Sequence, residues 1–297
     1  MTATTRSGRH LGLLGLAVAL GVAGCGGGSD DLSTDGTPSA TTSPTATATV
    51  STPTTLKGVP VYWVAESRGS FALYRELRDV PDTGGPVASA VAAMTRMRPL
   101  DPDYTTPWRP ASRVTAAQSG EAITVDLSAD ALSSTQVGSE LAERAVQQLV
   151  YTATAAAAKA GTPATTVTIT VDGGPRDAWG AVRLGEPTRR AALSAVQAQA
   201  WVTSPQEGQV VPAGTVTFTG FGTSPEATFG WKVVSSTGAT VAHGSVMGGT
   251  GDGGYGEVTF RATLAAGAYT VELSTDDPSG GAEGNGPATD DKSFAVR

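Results

Sequence analysis

The chain has 297 residues, with 20 Lys and Arg against 27 Asp and Glu, a formal charge of -7, and only 16% charged and 6% aromatic residues. That length is that of about two domains, and the acidic balance speaks against sequence-independent binding to nucleic acid. A single Cys excludes an internal disulfide and a Cys-rich metal centre, and two His leave no imidazole triad or His-rich metal site.

The first 25 residues read as an address. Arg6, Arg9 and His10 make a basic start without acids, and Leu11 to Val22 is an apolar run. The run is shorter than the roughly 20 residues a spanning helix needs, so it fits the core of a secretory signal. It ends at Val22-Ala23-Gly24-Cys25, which resembles a bacterial lipobox. The resemblance implies cleavage after residue 24, lipidation of Cys25 and a body held by the lipid bilayer on the extracytoplasmic face of the cell membrane. Loss of residues 1–24 removes two basic residues and no acid, taking the side-chain charge to 18 - 27 = -9.

Residues 25–58 read as a disordered Ser/Thr/Pro-rich tether. From Gly26 to Thr55 nearly every residue is Ser, Thr, Ala, Pro, Gly or Asp, which cannot bury enough apolar surface to offset ordering entropy. Thr37-Pro38, Ser43-Pro44 and Thr52-Pro53 bias it toward extension, at ~3.1 Å per residue where polyproline-like.

A first folded region is expected over 59–190. Val59 to Ala65 and Phe71 to Val80 predict a hairpin turning at 66–70. Pro86 to Met97 predicts a helix stopped by Pro99. A Pro-rich loop covers 99–112, and Ser112 to Ala117 with Ala122 to Leu127 predicts a second hairpin. Ser139 to Lys159 is the strongest helical pattern, with Ser139 as its expected N-cap, Leu141, Ala145, Gln148, Leu149 and Thr152 on one face, and Gly161 and Pro163 beyond its end. Thr166 to Val171 is a further strand. The expected class is α+β, with helices on one face of a mixed or antiparallel sheet.

The opening VPVYWV, the VTAAQSGEAITVDLSADAL segment and the ELAERAVQQLVYTATAAAAKAG helix followed by TVTITVDGG resemble the GerMN domain. That domain occurs in sporulation and germination proteins and in lipoproteins of non-sporulating actinobacteria. The resemblance implies a non-enzymatic extracytoplasmic module and carries over no catalytic residue.

Over 199–297 the texture changes to short β-rich runs punctuated by Gly and Pro: 215–221, 228–234, 240–246, 256–262, 267–273 and 292–296. Their spacing predicts an all-β sandwich clamped hydrophobically, with Trp231, Phe218, Val233 and Tyr269 in its core. The pieces VTSPQEGQVV, TVTFTGFGTSPEATFGWKVVSSTGATVAHGSV, YGEVTFRA and GAYTVELST resemble the immunoglobulin-like Gmad2 domain, which often follows GerMN. Segments 248–256 and 276–291 depart from it as a Gly-rich stretch and an acidic insert.

Several side chains invite a chemical reading. Asp252, Asp276, Asp277, Asp290 and Asp291 are oxygen donors of the kind Ca²⁺ takes, but their spacing matches no calcium loop and reads as solvated loops. His243 reads as a strand-end residue. Glu66, Glu76, Asp101 and Asp103 are the acids from which a glycan or peptidoglycan hydrolase would draw a pair ~5–9.5 Å apart. Tyr104, Trp108 and Arg109, on the Pro-rich loop, are the candidate binding residues, since aromatic and Arg side chains dominate binding hot spots; Trp108 equally serves to cover the sheet end. No motif for metal, phosphate or nucleophilic catalysis occurs, and no cofactor is implied. The expectation is a non-enzymatic binding or scaffolding lipoprotein. Its partner would be an envelope protein or cell-wall glycan, and a wall hydrolase is the alternative.

Overall fold

The computed structural model describes residues 54–250, 253–276 and 286–297. The lipobox with Cys25, the tether up to residue 53, Asp252 and Asp277 lie outside these residues.

β1 (Thr55–Ser67) begins inside the stretch expected to be tether, because Thr55 and Leu56 pair with Pro81 and Val80 of β2 (Ser70–Pro81). The two strands form an antiparallel hairpin through Arg68-Gly69, both at positive φ (53° and 79°). That is the two-residue turn whose twist matches paired strands. β1 is buried on both faces. Val61, Trp63 and Ala65 join the main core, whereas Tyr62 and Val64 pack with Leu73, Tyr151 and Val196.

α1 (Pro86–Arg96) starts with Pro in its first turn, and Asp82 accepts the Gly84 and Gly85 N–H groups just before it. β3 (Val114–Ser119) and β4 (Ala122–Leu127) form the second hairpin. α2 (Ser139–Lys159) follows. Its cap is Gly138, in extended conformation, and Ser139 is already helical, contrary to the expected cap. Gly161 (φ +82) ends it, with Gly161 N–H bonding Ala158 O and Thr162 N–H bonding Ala157 O, the paired bonds of a Schellman closure.

β5 (Thr166–Val171) lies parallel to β4, as a helical crossover requires. β6 (Asp177–Ala178) and β7 (Val182–Arg183) form a short hairpin, and β8 (Pro187–Thr188) completes a mixed sheet ordered β3-β4-β5-β8. The class is α+β, yet β1 and β2 do not join that sheet. The outer edge of β1 is sealed otherwise. Thr152 Oγ accepts the Tyr62 N–H, Gln148 Nε2 donates to Tyr62 O, and Val64 exchanges both backbone bonds with Thr105. Two buried polar side chains one turn apart on α2 thus replace a neighbouring strand.

A one-turn helix, α3 (Leu193–Val196), leads into the second domain. β9 (Ala200–Ser204), β11 (Gly214–Gly222) and β14 (Gly256–Leu264) form one antiparallel sheet in the order β14-β11-β9. β10 (Gln209–Val211), β12 (Thr228–Ser235), β13 (Thr240–Met247), β15 (Gly267–Thr275) and β16 (Thr289–Val296) form the other, ordered β10-β16-β15-β12-β13. The sandwich core holds Phe218, Phe229, Val233, Val258, Phe260, Val271, Leu273 and Phe294. Trp231 and Tyr269 are half-buried at its rim rather than central. Trp231 stacks on Phe260 at 4.6 Å. It can lie across β13 because Gly244 faces it in register, where a Cβ would come within 2.8 Å of the indole.

Among the described residues no helix is long and apolar enough to cross a membrane.

Candidate functional site at the domain junction

β16 alternates side chains, and its inward positions Phe294 and Val296 enter the sandwich core. Asp290 and Lys292 continue that inward row toward the first domain, where both are buried. The Lys292 ammonium lies 2.7 Å from Asp101 Oδ2, 2.7 Å from Asp290 Oδ2, 2.7 Å from the Tyr104 hydroxyl and 2.8 Å from Asp291 O. Tyr104 donates to Asp290 Oδ1 at 2.7 Å, and Val202 N–H on β9 donates to Asp290 Oδ2 at 2.7 Å. The ammonium also sits 4.6 Å from the Tyr104 ring centre, and that ring stacks on Tyr74 at 4.5 Å. Two carboxylates, one hydroxyl and one carbonyl thus surround one buried cation, which is the satisfaction a buried charge demands.

The first domain holds its share of this cluster rigidly. Glu76 Oε1 accepts the N–H groups of Leu100 and Asp101, and its other oxygen pairs with Arg78, which donates to Arg98 O. Asp103 N–H bonds Asp101 Oδ1. Burial pushes the Asp290 carboxyl up to about 6, against the pull of Lys292, Tyr104 and Val202 N–H. Burial alone would lower the Lys292 ammonium, but Asp290 and Asp101 outweigh it and hold it above the ordinary lysine value. Burial and the nearby Asp290 raise the Tyr104 phenol well above its usual range.

Other contacts reinforce the junction. Gln206 takes both backbone groups of Leu77 on the β2 edge, Arg68 Nη1 donates to Gln199 Oε1, and Trp201 packs into the first domain's core.

The three nominated binding residues separate. Tyr104 is 5% exposed and Trp108 1% exposed, so neither presents a free aromatic face. Trp108 covers the core instead: its Nε1 donates to Ala145 O and its ring meets Trp179 edge-on at 4.9 Å. Only Arg109 is exposed, on a recess of about 280 Å³ shared with Thr105, Thr106, Ser134 and Gln136. The four nominated acids separate too. Glu76 and Asp101 are buried and spent on the bonds above, whereas Glu66 and Asp103 are exposed. Asp290 and Asp291 belong to β16, not to an insert loop, because the strand already begins at Thr289. His243 is exposed on β13. Among the described residues no group of three or more His, Cys, Asp or Glu is placed to hold a metal ion. Lys292 was not singled out in the sequence; its one local signal is a lysine two residues after an aspartate on the inward row of a strand.

A second feature of the junction is an open groove of about 310 Å³ between the β1–β2 turn, α2 and the linker at 194–199. Arg68, Arg144, Phe71 and Gln197 line it.

Two family models match the chain. Residues 60–177 match Germane, described as sporulation and spore germination, and residues 199–282 match Gmad2, described as an immunoglobulin-like domain of bacterial spore germination. The two matches follow one another along the chain in that order. Neither is known as an enzyme family. The Germane match spans the first hairpin, both long helices and the parallel pair; the Gmad2 match takes in β9 to β15. The curated proteins contain no match to the chain. Among solved structures, CopC from Methylosinus trichosporium OB3b is 24% identical over 33% of this chain and 92% of its own, with a TM-score of 0.25. An engineered protein is 15% identical over 55% of this chain and 39% of its own, with a TM-score of 0.27. Likenesses that slight carry no argument about fold or function.

Proposed function

We propose that the Germane–Gmad2 pair is a non-enzymatic binding or scaffolding module. The chain would be lipid-anchored through Cys25 on the extracytoplasmic face of the cell membrane, and its partner would be an envelope protein or cell-wall glycan. The observation that carries this reading is the junction. The two domains share a buried ion cluster and a hydrophobic seam, so they present one fixed surface rather than two loosely tethered ones. A scaffold needs such fixed geometry, since rigid presentation lowers the ordering cost of binding. The use of Glu76 and Asp101 as structural ligands counts against the hydrolase alternative, because both acids are occupied. The sole Cys, at the end of a short apolar run, supports the anchor.

Two measurements test the reading. Metabolic labelling with a palmitate analogue should mark the wild-type chain and not Cys25→Ser, and the variant should leave the membrane fraction. A Cys25→Ser chain that stays in membranes and is labelled equally would sink the anchor. In-cell crosslinking should then capture a discrete envelope partner, whereas release of sugar or peptide from purified wall material by the chain would replace scaffolding with hydrolysis.

A further inference from the structure

Lys57, Lys159 and Lys232 stand at the surface, whereas Lys292 is only 3% exposed. Its Nζ lies 2.7 Å from Oδ2 of Asp101, a residue of the other domain that is itself 4% exposed. An amine and a carboxyl group sealed together from water are the two halves of an amide.

Three further features fit the chemistry of joining them. The other oxygen of Asp101, Oδ1, accepts the Asp103 N–H at 2.9 Å, so negative charge developing there meets a donor already in place. Asp290 is a second buried carboxyl, with Oδ2 2.7 Å and Oδ1 2.8 Å from Nζ, and it is held by the Tyr104 hydroxyl and the Val202 N–H. Burial pushes this carboxyl up to about 6, where a group both takes and returns a proton near neutral pH. The stacked Tyr74 and Tyr104 rings stand beside the ammonium, which is 4.6 Å from the Tyr104 ring centre, and such a wall keeps out the water that would reverse the step.

We infer that Lys292 and Asp101 condense into an amide that joins the two domains covalently, with Asp290 carrying the protons. The inference concerns the junction itself and stands apart from what the module binds. The ammonium is the resting form, because Asp290 and Asp101 hold it above the ordinary lysine value. The step therefore begins with transfer of one proton from Nζ to Asp101 Oδ2, which turns an ion pair into an amine and an acid and leaves the net charge unchanged. The Nζ lone pair then forms a bond to Asp101 Cγ, and the C=O electron pair moves onto Oδ1. Asp290 takes a proton from the nitrogen and passes it to Oδ2. The Cγ–Oδ2 bond breaks, Oδ2 leaves as water, and Asp290 is regenerated. Two opposite buried charges become one neutral amide, which removes the desolvation cost of both. Groups held in fixed contact reach effective molarities of about 10⁵–10⁸ M, which favours a condensation that free amines and acids in water do not undergo. A chain whose sole Cys denies it an internal disulfide thereby gains a covalent bridge across 191 residues.

The test is tryptic peptide mapping of the folded full chain by mass spectrometry. Trypsin should fail to cut after Lys292. Residues 97–113, in which Pro99 and Pro110 protect Arg98 and Arg109, should appear joined to residues 262–297 as one branched peptide, lighter than the two parts by one water. Fragmentation should place the branch at Asp101 and Lys292. Asp290→Asn should instead give separate peptides 97–113 and 262–292, because loss of a general acid–base group slows such a step by about 10²–10⁴-fold; circular dichroism matching the parent shows that this variant keeps its fold. Separate peptides from the folded parent chain would overturn the inference whatever the variant does. A branch formed as fully in folded Asp290→Asn would overturn the role given to Asp290, and a branch at a residue other than Asp101 would overturn the pairing.

Discussion

Lys292 on the last strand of the second domain is bonded to Asp101 of the first domain at 2.7 Å, across 191 residues of sequence, with both side chains buried. This bond joins the domains electrostatically, and the first predictions concern it. Lys292→Met keeps much of the side-chain volume but leaves Asp101 and Asp290 buried without their cation. Breaking a buried pair from one side costs about 3–5 kcal/mol. The melting temperature should fall by many degrees, and calorimetry should resolve the two domains as separate transitions. A variant that melts as cooperatively as the parent would show that the seam, not the cluster, couples the domains.

The pH dependence of stability should carry the signature of Asp290. Its carboxyl is raised by burial from 3.8 to about 6 in the folded chain. The folded state therefore keeps this proton to higher pH than the unfolded state. The group's contribution is full below about pH 4 and is lost as pH rises through about 6. Urea unfolding across this window should show a downward component of about one proton, and Asp290→Asn should abolish that component. A variant with the same slope as the parent would assign the titration to another group.

Within the first domain, Thr152 accepts the buried Tyr62 N–H at 3.1 Å. Thr152→Val is nearly isosteric and removes only the acceptor. An unsatisfied buried N–H costs about 1–3 kcal/mol, and amide exchange at Tyr62 should quicken while exchange in β12 to β16 stays unchanged.

In the sandwich, Gly244→Val should be costly although the site is on an edge strand. A Cβ there would lie 2.8 Å from the Trp231 ring, so the indole must leave its stack on Phe260. Overpacking of this kind costs about 1–3 kcal/mol. Near-ultraviolet circular dichroism should lose intensity, and Gly244→Val in a Trp231→Leu background should cost less than in the parent.

Local pattern alone was enough for most of the elements. The alternation in Ala122–Leu127 and Thr166–Val171, the apolar face of Ser139–Lys159 and the Pro-bounded helix at Pro86 all state where a residue must point. Each is decided by neighbours two to four positions away. The six strands predicted between 215 and 296 were found within three residues of their expected ends for the same reason, as punctuation by Gly and Pro is local too. The place of Cys25 at the end of a short apolar run and the Ser/Thr/Pro stretch are likewise features of composition and order. What the tertiary structure decided was partnership. Glu76 and Asp101 read as possible acids and Asp290 as a possible calcium donor, because a carboxylate's sequence does not say whether it will meet a cation. Tyr104 and Trp108 read as binding residues because a Pro-rich loop belongs on the surface, yet docking of the second domain and folding back of Trp179 buried them. Lys292 and Asp101 became one site only when a 191-residue separation closed, and packing of the linker at 194–199 against the first hairpin and α2 set Arg144, Gln197 and Arg68 around one groove. Long-range contacts follow from how whole faces pack, and no window of sequence contains both faces.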